Sequence, residues 1–402
     1  MRAHWALDPA VSFLNHGAFG ACPREVVACQ RRWQDLLERE PVQFFLHTYA
    51  QVLDEARQKA AAFVGSAAEN FVFVPNTTSG VNAVLSSLDI SEGDELLTTD
   101  HVYGACLNAL HAVAERRSAT VVQAQLPLPF TESGEIVTAI LERVTARTRF
   151  ALLDHVTSAT GIVLPIQELV RALSARAVEV MVDGAHAPGM LEPGIDELGA
   201  GYYTGNFHKW VCAPKGAAFL YVRPDLQHAV RPLVVSHGRT AARGRSRFWE
   251  EFDWPGTSDP SAWLSVPDAI ESVGKLATGG WNEVRHHNRQ LALQARKLLC
   301  EALQISAPVP EAFLGSLVAL PLPDSDAQFP YVRRKPVTPN HSAFDVSALQ
   351  RALFNEHQIE VPVFDWPTPG RRWIRISAHL YNTPGEYEQL AQALLVELRK
   401  GL

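Results

Sequence analysis

Between residues 71 and 222 the chain repeats one unit, a short apolar run followed by a stretch with helical spacing, and no other pattern restricts its fold as strongly. The runs lie at Phe71–Val74, Glu95–Thr99, Ala119–Gln123, Arg149–Asp154 and Val178–Asp183, with two further strand-like pieces at Gly201–Thr204 and Ala217–Val222. Helical spacing fills 80–88, 104–116, 135–145 and 165–174. Strands alternating with helices imply right-handed crossovers and a mostly parallel sheet covered on both faces. Upstream, Val52, Leu53, Ala56, Ala60 and Phe63 form one helical stripe that Gly65 closes.

The pattern changes after residue 222. Residues 236–261 are rich in Arg, Gly and Pro (Arg239, Arg243, Arg245, Arg247, then Trp254-Pro255-Gly256), which reads as a loop and a domain border. Beyond it come two helical stretches, strands near Gly315–Leu322, Glu360–Phe364 and Arg372–Ser377, and a final helix over 385–399. A single core stops growing near roughly 250–300 residues, so 402 residues call for two domains. The expected division is an arm at 1–30, a large α/β domain at 31–260 and a small α+β domain at 261–402.

Charge and cysteines narrow the classes of function. A net charge of −7 supplies no basic surplus for a phosphate backbone, so a nucleic-acid partner is not expected. No apolar span reaches roughly 18 residues, so no membrane helix is expected. Cys22, Cys29, Cys106, Cys212 and Cys300 show neither zinc-site spacing nor disulfide density. A reducing cytoplasm and no metal site follow as expectations.

Five segments carry candidate chemistry. Lys209, in Asn206-Phe207-His208-Lys209-Trp210, lies between two apolar strands, which holds it near the sheet rather than on a solvated helix face. Asp183 ends an apolar strand, at the carboxyl edge where open α/β sheets bind ligands. It reads as a turn or cap aspartate, or as the acid that keeps a pyridinium nitrogen protonated. Asp183 and Lys209 together would provide what pyridoxal-phosphate chemistry asks of a protein. Asn76-Thr77-Thr78-Ser79-Gly80 joins a strand to a helix, and its hydroxyls and free N–H groups suit a phosphate; a plain cap by Thr78 or Ser79 is the alternative. The dinucleotide glycine pattern and the Walker pattern are both absent. Asp100-His101-Val102-Tyr103 offers a ring to stack on a flat cofactor, or a structural histidine. Arg375, between apolar neighbours in Trp373-Ile374-Arg375-Ile376-Ser377, is read equally as a substrate-carboxylate clamp and as an interdomain ion pair.

Taken in order, Phe13-Leu14-Asn15-His16-Gly17-Ala18, Asn76-Thr77-Thr78, Asp183-Gly184-Ala185-His186, Asn206-Phe207-His208-Lys209-Trp210 with Ala213-Pro214-Lys215-Gly216, Gly256-Thr257, and Arg375-Ile376-Ser377 with Tyr381-Asn382 resemble the class V aminotransferase family, in its isopenicillin N epimerase-like branch. The resemblance spans residues 13 to 382. It implies fold type I with a seven-stranded type of sheet, pyridoxal 5'-phosphate as cofactor, a homodimer with shared active sites, and an amino acid or peptide-like small molecule as substrate. It implies Lys209 as the Schiff-base lysine, Asp183 as the partner of the ring nitrogen, and His186 and Ser158 near the ring hydroxyl. Thr77, Thr78, Asn206 and His208 match phosphate ligands, His101 the stacking ring, and Thr257 a ligand to the neighbouring subunit's phosphate. Arg375 matches the carboxylate clamp, with Asn15 and His16 from the arm beside the substrate.

One departure from the wider superfamily matters. Cysteine desulfurases carry a mobile nucleophilic cysteine shortly before the arginine strand, and Val361-Pro362-Val363-Phe364-Asp365-Trp366-Pro367 has none. On this reading Lys209 removes an α-proton, and the fate of that proton sets the reaction. Return to the opposite face is epimerisation and needs a second acid, for which Tyr103 and His101 are the candidates; return to the cofactor is transamination; loss of a β-substituent is C–S lysis. The sequence leaves these open. The readings from other classes are a nicotinamide-dependent oxidoreductase and a catalytically silent binding protein.

Overall fold

The structure, a computed structural model, describes residues 1–241, 244–323 and 346–401; of the arginines noted in the border loop, Arg243 lies outside them. Seven apolar runs form one sheet: β2 (Phe71–Val74), β3 (Glu95–Thr99), β4 (Thr120–Ala124), β5 (Thr148–Asp154), β6 (Glu179–Gly184), β7 (Tyr202–Asn206) and β8 (Ala218–Val222). β1 (Ser12–Phe13) belongs to the arm. The order is β2-β8-β7-β6-β5-β3-β4, with β3 to β7 mutually parallel and β8 antiparallel to both β7 and β2. Strand order reverses between β3 and β5, and the carboxyl ends of the strands at such a switch point are where open α/β sheets form a ligand crevice. β2, β3, β7 and β8 are buried along their whole length, as helices on both faces require.

The smaller part is a three-stranded antiparallel sheet in the order β11 (Val363–Asp365), β12 (Arg372–Ser377), β9 (Leu317–Pro321), packed by helices Gly280–Leu303, Ala348–His357 and Pro384–Arg399. The last helix opens with Pro384 in its first turn and a reciprocal Thr383–Glu386 capping box. The expected strand over 360–364 is two: Ile359–Glu360 (β10) pairs with β1 and β11 with β12, because Pro362 has no N–H to continue one ladder. The β1–β10 pair, a separate two-stranded sheet, ties the arm to the segment that leads into β11.

Two local expectations differ from the structure. The helix after β2 spans Thr77–Ser87, because Asn76, rather than Thr78 or Ser79, caps it by accepting from Ser79 N at 2.8 Å. The border loop contains the helix Arg247–Asp253, capped by Ser246 and held down by buried Phe248 and Phe252, one turn apart.

Candidate active site

Adjacent strands release their functional side chains at one edge. β3 leads to His101, β5 ends at Asp154, β6 carries Asp183, and β7 ends at Asn206, three residues before Lys209. Glycine lets the arm reach them: a Cβ on Gly20, at φ +71°, would lie 2.1 Å from the His208 carbonyl oxygen, and Lys215 Nζ donates to the Gly20 carbonyl at 2.8 Å.

The Lys209 amine lies 3.2 Å from His186 Nε2, and the Trp210 indole N–H donates to His186 Nδ1 at 3.2 Å. An indole nitrogen only donates, so Nδ1 is the acceptor and the ring proton sits on Nε2, directed at Lys209. An ammonium cannot accept that proton; a neutral amine can. Burial, with help from the nearby Arg375 charge, pulls Lys209 down to about 8, against the opposing pull of Asp183, and this favours the neutral form. Burial pulls His186 well below its ordinary value as well, keeping it an uncharged donor.

Asp183 is buried, and its two oxygens accept from Ala185 N at 2.9 Å and from the Cys106 thiol at 3.2 Å. Burial raises its affinity for a proton. Asp154, its register partner on β5, is equally enclosed and was not singled out from the sequence, although it ends its strand as Asp183 ends the next. Cys106 was missed for a different reason: it lies on the helix Gly104–Arg117, and only the packing of that helix shows which acid it faces.

At the other end of the crevice Thr77 N donates to Asn206 Oδ1 at 3.0 Å, beside the N-terminus of the helix Thr77–Ser87, while the Thr77 hydroxyl is buried without a partner. Thr78 is half-buried in the same turn. His208 gives its Nδ1 proton to the Ala217 carbonyl at 3.0 Å, leaving Nε2 free. His101 bonds Thr160 Oγ1 through Nδ1 at 2.7 Å, meets Trp366 edge-on at 4.5 Å, and has a buried Nε2 without a hydrogen-bond partner. Tyr103 is 48% exposed at the start of its helix. Orphaned polar atoms are costly, and those of Thr77 and His101 flank the crevice.

Arg375, on β12, makes no ion pair among the described residues. Its Nη1 donates to the Ser158 carbonyl at 2.6 Å and lies 3.3 Å from the Ser158 hydroxyl, its Nε is buried without a partner, and burial lowers it to about 10. The interdomain ion pair is therefore not found, and Ser158 serves the arginine. Asn15 uses Nδ2 on Glu360 at 3.0 Å and keeps a buried, unpartnered Oδ1.

His16 is revised. Its Nδ1 bonds the Tyr381 hydroxyl at 2.7 Å and its Nε2 the Lys209 carbonyl at 3.0 Å, so no ring nitrogen is left for a substrate. It clamps the lysine backbone instead. Cys212 and His379 pack beside it, the two imidazoles stacked 4.3 Å apart. Thr257 stands apart, exposed on the loop that follows the helix Arg247–Asp253.

A sheet of this order with a lysine and an acid at its carboxyl edge defines the fold type I class. A C-DES mutant with glycine covalently linked to its PLP cofactor has a similar structure, with a TM-score of 0.82 at 21% identity over 98% of each chain. Residues 32–328 match the family model of aminotransferase class-V, and the chain belongs to that family. It is 33% identical to an isopenicillin N epimerase of Amycolatopsis lactamdurans, over 98% of this chain and 96% of that one. It is 30% identical to a putative L-cysteine desulfhydrase of Oryza sativa, over 96% of this chain and 83% of that one.

Proposed function

We propose that this protein is a pyridoxal-phosphate enzyme that removes the α-proton of an amino acid, or of a small molecule ending in one, with Lys209 as the base. The observation that carries the reading is the Lys209–His186–Trp210 contact beside the buried Asp183: it places an amine, brought down to about 8 by burial and the Arg375 charge, within 3.2 Å of a ring nitrogen whose proton a neutral amine can accept. A neutral amine is what is needed to take the cofactor aldehyde and, once displaced by substrate, to accept a proton. The orphaned hydroxyl of Thr77, the N-terminus of its helix, Asn206 and His208 fit the phosphate; Asp183 fits the ring nitrogen, His186 Nε2–H the ring hydroxyl, and His101 the ring face. When bound, the cofactor supplies an electron sink for the α-carbon.

The residues do the rest. Arg375, with no acid among the described residues, takes the substrate carboxylate and orients the α-C–H toward Lys209, with Asn15 Oδ1 offering an acceptor. Asp183 holds negative charge opposite the ring nitrogen. Tyr103, within the electrostatic reach of both Arg375 and Asp183, is the candidate to return a proton from the far side, which makes epimerisation the favoured outcome. Similarity to the epimerase supports the same choice. A second reading, elimination of a β-thiol from cysteine, is supported by the similarity to desulfhydrases. We read against persulfide transfer, because Trp366 and Pro367 occupy the loop before β12 and the five cysteines lie elsewhere. We further propose a cytoplasmic homodimer in which Thr257 reaches the partner's phosphate. No helix among the described residues is long and apolar enough to cross a membrane.

The test is α-hydrogen exchange in D2O over a panel of amino acids and amino-acid-ended peptides, with product chirality, keto acid and sulfide followed together. Exchange with inversion supports epimerisation, and sulfide with pyruvate from cysteine supports the second reading. Exchange that survives in Lys209→Ala overturns the assignment of the base.

A further inference from the structure

Two acids stand side by side on the floor of the crevice. β5 and β6 are parallel and in register at Asp154 and Asp183, so both side chains leave the same face of the sheet. Asp154 is 3% exposed and Asp183 4%, and among the described residues neither forms an ion pair with an arginine or lysine. Two carboxylates enclosed this closely cannot both carry charge. Their settings differ: Asp183 has a donor on each oxygen, the Ala185 amide and the Cys106 thiol, whereas Asp154 accepts from its own and the Tyr103 backbone amides and keeps Oδ2 buried with no partner. An anion needs donors on its oxygens, and a neutral acid needs them less.

We propose that the pair holds one proton between them, resident on Asp154, so that the floor of the site carries a single negative charge, on Asp183. The groups that face Asp154 are consistent with this. Asp183 lies on β6; Lys209 sits beyond β7 as the one cation near it; from the helix Gly104–Arg117 come the uncharged Cys106 and, at its cap, Tyr103, whose backbone amide donates to the Asp154 carboxyl. Burial and the neighbouring acid push Asp154 well above the usual carboxylate range, further than Asp183, which agrees in direction. The consequence for catalysis rests on the function proposed above: one charge matches one protonated ring nitrogen, and Asp154 is a positioning residue that keeps Asp183 the anion without adding a second.

Infrared difference spectroscopy on the full-length chain with 13C-carboxyl-labelled aspartate tests it, with and without added pyridoxal phosphate. The expected result is an isotope-shifted carboxylic-acid C=O band that persists at pH 7 and disappears in Asp154→Asn. Absence of that band in the wild type at pH 7 overturns the proposal whether or not the variant folds, and so does its survival in a folded Asp154→Asn protein. The band is read in the cofactor-free protein as well, so failure of the function and failure of the shared proton are separate results.

Discussion

Two arginines, one buried and one half-buried, sit in this molecule in opposite conditions. Arg57, fully enclosed, makes two 2.7 Å bonds to the Asp253 carboxylate, gives Nη1 to the Phe71 carbonyl at 2.8 Å and lies 4.4 Å from the centre of the Trp249 ring. Arg375 has a backbone carbonyl and a hydroxyl, both from Ser158, and no acid among the described residues. The first charge is completed by the fold and the second is not. A half-enclosed charge with no acid among the described residues marks a candidate place for an acidic ligand. The same contrast separates Asp253, ringed by Arg57 and Arg245, from Asp183, whose donors are one backbone amide and one thiol.

The largest expected effect breaks the open side at its centre. Lys209→Ala should lower α-hydrogen exchange by about a thousandfold or more while the chain remains folded, since a positioned base is worth that much and the amine is no part of a structural pair. Circular dichroism together with exchange kinetics checks both halves of the statement.

The two arginines should then respond in opposite ways. Arg57→Ala leaves the buried Asp253 with Arg245 alone, at 3.0 Å on one oxygen, and leaves the Phe71 carbonyl without its donor; it should cost about 3 kcal/mol of stability, seen in denaturant unfolding, with KM unchanged in whatever remains folded. Arg375→Ala removes an uncompensated charge and should leave stability unchanged or improved, while KM for an amino-acid substrate rises roughly 30-fold, about 2 kcal/mol. If both variants lose stability equally, Arg375 is structural and the comparison fails.

The contrast was only half visible in the sequence. The seven strands could be read from runs such as Phe71–Val74 and Val178–Asp183, because a strand buried on both faces must be apolar throughout. Asp183 and Lys209 could be placed at one edge for the same reason. What sequence could not show was pairing across long separations. Arg375 meets Ser158 across 217 residues and His16 meets Tyr381 across 365, and only packing reveals that His16 is spent on the lysine backbone or that Ser158 serves the arginine. The arginine-rich border read as loop because Gly and Pro outweighed the Phe248–Phe252 spacing, yet burying those two rings was enough to order a helix.

A smaller effect sharpens the description of the lysine. With its value near 8, the uncharged fraction of Lys209 should rise about tenfold between pH 7 and 9 and then level, so capture of pyridoxal phosphate by the cofactor-free chain should follow that curve. An ordinary lysine would rise about a hundredfold over the same interval without levelling. The folded chain releases this proton near 8 and the unfolded chain near 10.5, so unfolding takes up a proton between those values and stability increases with pH across the window. Stopped-flow absorbance measures the first effect and urea titration at several pH values the second.

The smallest effect tests whether the His186 tautomer adds to burial and the Arg375 charge in holding that value low. Trp210→Phe keeps a buried ring but removes the indole N–H that fixes His186. The imidazole proton is then free to move to Nδ1, and Nε2 becomes an acceptor facing Lys209 across 3.2 Å. An acceptor there stabilises the ammonium, so the midpoint of cofactor capture should move upward by about one pH unit, roughly 1.4 kcal/mol. Lost packing alone would lower the melting temperature and leave the midpoint near 8. A midpoint that moves even in a variant of unchanged melting temperature ties the lysine's charge to one hydrogen bond from the next residue in the chain.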